Sequence, residues 1–357
     1  MTSLFYLWFL VIFFPKFGYF DLSFIFNFIL FVFFSNRRAL RGSLIYLGFG
    51  WISVVFFLMI FNGFENLSRT PFLRDFRLGL MSLFLSVNLP MFIEGIGDFT
   101  ERLKRVIVIF LTVLLFVYFL QFVFPSFREW SYIILNFGHV DDIESLALHS
   151  HGFRLPGLFQ GYDSGSVWVA LLFILLYLLG YRNLLLPVLL LLPFVVSSRT
   201  GLLLLFFYVV VVNIFRPKNL ITIFMVISAV VFFIVALSDF LPTNSYLWLI
   251  DDIKNESSFL LNGSKPLFGS YLDFYENGSM SDNGYEQLIR SYGVLPILLL
   301  FLYLGYMFFF SQRSTSPKFS IFIITFIFVS TFKYPYFISK GFWELLLLTF
   351  YLKKEIS

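Results

Sequence analysis

The first residues suited to chemistry lie around Arg154, in a segment rich in glycine and histidine. The segment reads His149-Ser150-His151-Gly152-Phe153-Arg154-Leu155-Pro156-Gly157-Leu158-Phe159-Gln160-Gly161-Tyr162-Asp163-Ser164-Gly165. Its glycines and proline predict a tight, irregular backbone with exposed N–H groups, which suits an anion. Arg154 adds a bidentate fork for phosphate oxygens. The alternatives are a surface turn with Arg154 at lipid headgroups and solvated histidines.

A second candidate is Arg199, within Ser197-Ser198-Arg199-Thr200-Gly201. The apolar stretch 184–215 would be about 48 Å long as a helix, whereas two crossings of a bilayer core need about 60 Å. The turn at Arg199 is therefore predicted to lie below the outer surface, where an arginine must face a polar cavity or a partner. The alternative is one long, kinked helix with Arg199 paired to an acid, which would reverse the sidedness of everything after it.

The third candidate segment runs from Ser281 to Gly293 and holds two acids and a base. Asp282, Glu286 and Arg290 follow each other at four-residue spacing, so on a helix they share one face. Such a face could bind sugar hydroxyls and hold a general base. Equally, Asp282 could cap a helix running into the next span, with an ordinary Glu–Arg pair beyond it.

The composition limits the class of protein to which these residues can belong. Of 357 residues, 59% are hydrophobic and 13% are charged, with 55 phenylalanines, no cysteine and three histidines. A soluble domain carries roughly 25% charged residues, so the chain is predicted to be an integral membrane protein. Disulfides, a thiolate nucleophile and a Cys-metal site are excluded, and we expect neither a metal nor a cofactor nor a nucleic-acid partner.

The apolar runs predict an all-α, polytopic protein of about twelve transmembrane helices in a single domain, 1–357. The predicted spans are 3–14, 22–35, 43–62, 78–93, 106–124, 165–181, 184–196, 200–215, 219–238, 293–311, 319–332 and 336–352. Ten to thirteen spans are compatible with the pattern. The stretch 63–77, with three arginines, is interpreted as interfacial and amphipathic, without a functional role.

Charge sorting predicts the orientation of these spans. The connections on the same side as the termini carry a net +9, and the opposite side carries −5, which together give the chain's +4. Because Lys and Arg in short loops stay in the cytoplasm, the N- and C-termini are predicted to be cytoplasmic. Two long loops, 125–164 and 239–292, then lie on the outer face and are interpreted as partly helical caps over a cavity.

The order of these features resembles the bacterial O-antigen polymerase (Wzy-type) group, related to O-antigen ligases and other membrane-embedded, GT-C-type glycosyltransferases. The matching pieces are Arg-x-Pro-Gly-Leu-Phe before a span, Ser-Arg-Thr-Gly, and Asp-Asn-Gly-Tyr…Tyr-Gly. A family loop motif, Arg followed by ten residues and Gly, fits Arg154…Gly165, whereas Arg290 has Phe301 where the Gly would stand. Ligases typically carry a histidine near the end of the second loop. This chain has none after His151, which favours a polymerase.

The resemblance implies an enzyme of the bacterial inner membrane that polymerises undecaprenyl-diphosphate-linked oligosaccharide repeat units into O-antigen or a related surface polysaccharide. Membrane lipid and a polysaccharide chain-length regulator are the further partners it suggests. Arg154 and Arg199 would stabilise the departing diphosphate. The candidates for the general base are, in falling order of preference, Asp282, Glu286, Asp163 and His151. The expected substrate-binding residues are His151, Gly157, Asp163, Gly165, Lys265, Tyr285 and Arg290.

Two alternatives remain from the sequence. A ligase would transfer the finished polymer to another acceptor. A lipid-linked oligosaccharide flippase or an anion carrier would instead be expected to hold charges midway along several spans. Most charges of this chain lie at span ends and in loops, with Arg199 as the main exception.

Overall fold

The chain folds into a bundle in which all the described regular structure is helical. The computed structural model describes residues 1–13, 21–35, 43–62, 70–135, 162–181, 200–201, 204–205, 207–208, 284–306, 317–331 and 341–355. The helices are α1 (Thr2–Phe13), α2 (Leu22–Ser35), α3 (Ser43–Asn62), α4 (Thr70–Gly95), α5 (Phe99–Val123), α6 (Pro125–Leu135), α7 (Tyr162–Leu178), α8 (Gly284–Tyr292), α9 (Val294–Gly305), α10 (Pro317–Thr331) and α11 (Phe342–Glu355).

The helix bounds follow the apolar runs closely where both are known. The spans predicted at 3–14, 22–35 and 43–62 become α1, α2 and α3. Two described helices are long and apolar enough to cross a bilayer, at Asp75–Gly95 and Phe99–Val123, and six shorter ones are apolar. By length and composition these helices are compatible with membrane association, while the count of twelve spans stays a prediction. The spans at 184–196 and 219–238 lie outside the described residues.

Helix α4 is the central element, with α2, α3 and α11 packed around it. Glycines allow α3 to approach it closely. A Cβ on Gly79 would lie 2.5 Å from Cγ1 of Ile52, and one on Gly48 would lie 2.8 Å from the carbonyl oxygen of Gly79. Small residues at such contacts are typical of packed membrane helices, because apolar side chains gain little there from leaving lipid.

A buried polar contact ties α1, α2 and α4 together inside the apolar core. Trp8 Nε1 donates to Asn27 Oδ1 at 3.0 Å, and Asn88 Nδ2 donates to the backbone and side-chain oxygens of Asn27 at 3.0 and 3.1 Å. All three side chains have an exposed fraction of 0%. Hydrogen bonds between helices stabilise a bundle in this way when the surroundings are apolar.

Contacts between helix ends give the bundle two distinct ends. At one end, the ring of Trp168 at the start of α7 lies 4.4 Å from that of Phe13 and 4.0 Å from that of Phe342 at the start of α11. At the other end, the Phe5 ring lies 4.9 Å from that of Phe99, at the start of α5. We call the first of these the α11 end, and the buried charges collect there.

Three sequence-based expectations are corrected by the helix bounds. Residues 70–77 are the first two turns of α4 and not a separate interfacial stretch. The helix that was expected to run into the tenth span is broken at Gly293, which separates α8 from α9. The irregular backbone predicted up to Gly165 ends earlier, because α7 is helical from Tyr162.

The predicted outer loop 125–164 contains regular structure at its start. Helix α6 begins one residue after α5 ends, with Phe124 in an extended conformation between them. The position of this segment on the outer face, over a cavity, stays a prediction. Residues 136–161 of the loop, and all of the second predicted loop before Gly284, lie outside the described residues.

Candidate functional site

A cluster of charged and hydroxyl side chains joins α2, α4 and α11 at the α11 end of the bundle. We call Asp21, Ser23, Arg77 and Glu344 the acidic cap cluster. Asp21 precedes α2 and caps it, since its Oδ1 accepts the backbone N–H groups of Ser23 at 3.0 Å and Phe24 at 3.4 Å. Its Oδ2 forms an ion pair with Arg77 of α4. The exposed fractions are 6% for Asp21 and 15% for Arg77, so the pair is largely withdrawn from solvent.

Glu344 completes this cluster from α11, where it is the third residue of the helix. Its Oε2 accepts the backbone N–H of Gly341 at 2.6 Å, as the acid of a capping box does. The Ser23 hydroxyl lies 3.1 Å from Glu344 Oε1 and 2.8 Å from Asp21 Oδ1. Both carboxylates thus lie at helix N-termini, where the helix dipole stabilises negative charge. These contacts connect the ends of α2, α4 and α11.

A second buried carboxylate contact lies on α4, two residues from Arg77. We call Trp51, Asp75 and Tyr292 the Asp75 clamp. The Tyr292 hydroxyl donates to Asp75 Oδ2 at 2.8 Å, and Trp51 Nε1 donates to the Asp75 carbonyl oxygen at 2.9 Å. The exposed fractions are 1% for Asp75 and 3% for Tyr292. The clamp joins α3, α4 and the end of α8, beside an apolar groove between α3 and α9.

The start of α7 contacts the residues that follow Arg199. The backbone N–H of Gly201 donates to Ser166 Oγ at 3.2 Å, and Thr200 beside it is 8% exposed. A Cβ on Gly201 would lie 2.3 Å from the carbonyl oxygen of Ser166, far inside van der Waals contact. The close approach of these two backbones therefore requires glycine at 201. It joins the segment that follows Arg154 to the segment that follows Arg199.

Five of the predicted site residues lie in described helices, and the others lie outside the described part of the chain. Gly165 lies in α7 and the half-buried Arg290 lies in the last turn of α8. Asp163 lies in the first turn of α7, and Tyr285 and Glu286 lie in the first turn of α8. The remaining predicted residues lie outside the described part of the chain, namely Arg154, Arg199, Asp282, His151, Gly157 and Lys265.

Sequence reasoning missed the buried charges at the α11 end. For Asp21 the available signal was an Asp-x-Ser sequence directly before an apolar helical run, which is typical of an N-cap. For Glu344 the signal was its position three residues after Gly341. Asp75 and Arg77 lie close together on one long apolar helix, where charges are costly unless they have partners. Each signal is local, and none indicates which partner the charge will have.

Metal ligation finds no support in the part of the chain that the structure describes. Within those residues, no group of three or more His, Asp or Glu side chains is arranged to hold a metal ion. The described carboxylates of the acidic cap cluster and the Asp75 clamp already accept hydrogen bonds from N–H and O–H donors. Their geometry fits positioning of helix ends better than coordination of a cation.

Comparison with protein-family models, with curated proteins and with solved structures finds no match to this chain.

Proposed function

We propose that this chain is a membrane-embedded glycosyltransferase that polymerises undecaprenyl-diphosphate-linked repeat units into O-antigen or a related surface polysaccharide. The observation that carries the proposal is the contact between Gly201 and Ser166. It places the helix that follows the Arg154 segment directly against the residue pair that follows Arg199. Two cations from different parts of the sequence are thereby expected to contribute to one site, where they would stabilise the departing lipid diphosphate.

The surface of the described bundle supports a membrane setting. Phe116 and Phe119 on α5 are 60% and 59% exposed, and Leu302 on α9 is 61% exposed. Helix α5 has 25 residues, which is about 37 Å and enough to cross a core of about 30 Å. Apolar faces of this kind suit contact with lipid. With the charge bias of the connections, they support a multi-pass protein with cytoplasmic termini.

The proposed reaction assigns a separate task to each charged group. A sugar hydroxyl of one lipid-linked repeat unit attacks the anomeric carbon of the glycan on a second carrier, and undecaprenyl diphosphate leaves. Arg154 and Arg199 would stabilise the negative charge that builds on the diphosphate. Asp282 or Glu286 would take the proton from the attacking hydroxyl. Arg290, on the same face of the helix pattern, would bind the diphosphate or the sugar hydroxyls.

The described buried charges lie near helix ends. A flippase or anion carrier would be expected to hold charges midway along several helices. In the described residues, Asp21 and Glu344 lie at helix N-termini, and Asp75 and Arg77 lie in the first two turns of α4. This distribution is compatible with a transferase whose site lies at one end of the bundle.

Reconstitution tests the proposed reaction directly. The purified protein in liposomes is given the lipid-linked repeat unit alone, and the products are analysed by electrophoresis and mass spectrometry. We expect a ladder of carrier-linked polymers together with released undecaprenyl diphosphate. The outcome that contradicts a transferase is movement of the intact repeat unit across the bilayer without any change in its size.

Replacing Gly201 with alanine is expected to lower polymer formation about 100-fold, because a misplacement of about 1 Å near a reacting group has effects of that size. The added Cβ would lie 2.3 Å from the Ser166 carbonyl oxygen, so the backbone at residue 201 must move away from α7. The measurement is polymer yield at equal amounts of membrane-inserted protein.

Gly50→Ala is the matched control for this substitution, since a Cβ at Gly50 meets no atom within 4 Å. Wild-type polymer yield in Gly201→Ala would show that the contact does not position the site.

A further inference from the structure

A single glycine with a positive φ separates helix α8 from helix α9. It ends at Tyr292, and Gly293 has a φ of 77° before α9 begins. Glycine occupies this region of φ about as readily as the ordinary one. The Gly293 N–H still bonds to the Ile289 carbonyl oxygen at 2.9 Å, and α8 contacts α9. The position of α8 relative to α3 and α4 depends in addition on its side-chain contacts with those helices.

The Asp75 clamp supplies one such contact at the last residue of α8. Tyr292 donates its hydroxyl to Asp75 Oδ2 at 2.8 Å, although the two residues are 217 positions apart in the chain. Trp51 supports both partners, since its Nε1 bonds to the Asp75 carbonyl oxygen and its ring lies 5.8 Å from the Tyr292 ring. Leu288, one turn before Tyr292, is also buried, at 2% exposed. One face of α8 thus packs on α3 and α4.

Arg290 lies on a different side of the same helix turn. It is two residues before Tyr292, which is about 200° around the helix axis, and it is half-buried. Rotation or tilt of α8 would therefore displace the Arg290 side chain. The orientation of this candidate site residue is therefore coupled to the hydrogen bond at Tyr292.

We propose that Asp75 is a positioning residue which, through the Tyr292 hydroxyl, fixes α8 and so places Arg290 toward the lipid-diphosphate substrate. The role of Arg290 toward the substrate rests on the proposed function. The hydrogen bond that connects α4 and α8 does not, because it is a feature of the fold. The proposal assigns to Asp75 the role of a hydrogen-bond acceptor and not of a general base. An asparagine at 75 can still accept the tyrosine hydroxyl, whereas a leucine cannot.

The experiment measures position and activity separately in the same variants. Because the chain has no cysteine, spin labels are placed on Ile289→Cys in α8 and on Phe49→Cys in α3, where Phe49 is 58% exposed. The distance distribution between the labels reports the position of α8. The KM and kcat for the lipid-linked repeat unit are measured in liposomes. The variants are Tyr292→Phe, Asp75→Asn and Asp75→Leu, with Tyr46→Phe as the control for loss of a hydroxyl, since Tyr46 is 71% exposed.

We expect Tyr292→Phe to broaden the distance distribution and to raise KM about tenfold, in line with loss of a hydrogen bond to a charged group. Asp75→Leu should behave like Tyr292→Phe, whereas Asp75→Asn and Tyr46→Phe should stay within about twofold of wild type. If Asp75→Leu does not fold, the comparison of Tyr292→Phe with Asp75→Asn still tests the positioning role of Asp75.

Three outcomes overturn the positioning role. They are an unchanged distance in Tyr292→Phe, a changed distance with unchanged kinetics, or an Asp75→Asn variant as impaired as Tyr292→Phe. If the wild-type protein itself forms no polymer, the proposed function fails. The label distances then still show whether the clamp positions α8.

Discussion

Arg199→Ala is expected to abolish chain elongation while the protein still inserts in the membrane. Removing one group that stabilises transition-state charge typically costs about 100- to 1000-fold in rate, and a departing diphosphate carries more charge than most leaving groups. Thr200 and Gly201 are buried against the start of α7, so the backbone next to residue 199 keeps its anchor in the variant. The measurement is polymer length and yield in cells that carry equal amounts of inserted protein.

Arg105→Ala provides the matched control for this substitution. Arg105 is exposed and lies in the second turn of α5. The start of α5 lies at the opposite end of the bundle from the α11 end. We expect polymer from the control variant to be unchanged. Polymer of normal length and yield in Arg199→Ala would remove Arg199 from the site and with it the main support for the polymerase assignment.

Arg77→Leu is expected to cost about 3–5 kcal/mol of folding free energy, the usual effect of deleting one partner of a buried ion pair. The Asp21 carboxylate, 6% exposed, would lose its guanidinium partner while the rest of the acidic cap cluster stays in place. Leucine fills most of the space of the arginine stem, so the change acts chiefly through charge. The measurement is the free energy of unfolding by denaturant titration in a mild detergent.

Two comparison variants separate charge from packing in this experiment. Lys104→Ala breaks an ion pair with Glu101, a side chain that is 59% exposed, and should cost about 0.5 kcal/mol or less. Asp21→Asn combined with Arg77→Leu should recover part of the loss, since asparagine still caps α2 and carries no charge. Equal stability of Arg77→Leu and Lys104→Ala would contradict a structural role for the acidic cap cluster.

Among the described residues, the sequence predicted the bounds of α1, α2 and α3 well, because apolar helices are delimited by local composition. The runs 3–14, 22–35 and 43–62 are each bounded by charged or turn-forming residues, and α1, α2 and α3 end within a residue of them. Helix α4 was predicted too short. Residues 63–77 were interpreted as a separate interfacial stretch before the span 78–93, whereas the partners of Asp75 and Arg77 allow the helix to include both residues.

The partners of the buried charges could not be predicted, because they come from distant parts of the chain. Arg77 pairs with Asp21 across 56 positions, and Ser23 contacts Glu344 across 321. Neither spacing leaves a periodic signal in the sequence. The contact of Gly201 with Ser166 is of the same kind. The Ser-Arg-Thr-Gly turn stood out as unusual, but only the fold shows which helix it meets.

The break between α8 and α9 shows a further limit of pattern reading. Asp282, Glu286 and Arg290 suggested one helix continuing into the span, and the apolar residues after Gly293 supported it. The glycine adopts a positive φ and ends the helix, so α8 becomes a separate element held by Tyr292. A single glycine before an apolar run is compatible with both arrangements.

Analysis of the lipid carrier in a strain that lacks this chain tests the central claim most directly. Lipid-linked glycans and surface polysaccharide are extracted and sized, with the wild-type chain restored on a plasmid as the control. A polymerase predicts that single repeat units reach the carrier and the final acceptor, that no polymer forms, and that the plasmid restores it. Long polymer left on the carrier would indicate a ligase, and repeat units trapped on the cytoplasmic face would indicate a flippase. Either of these results would contradict the account.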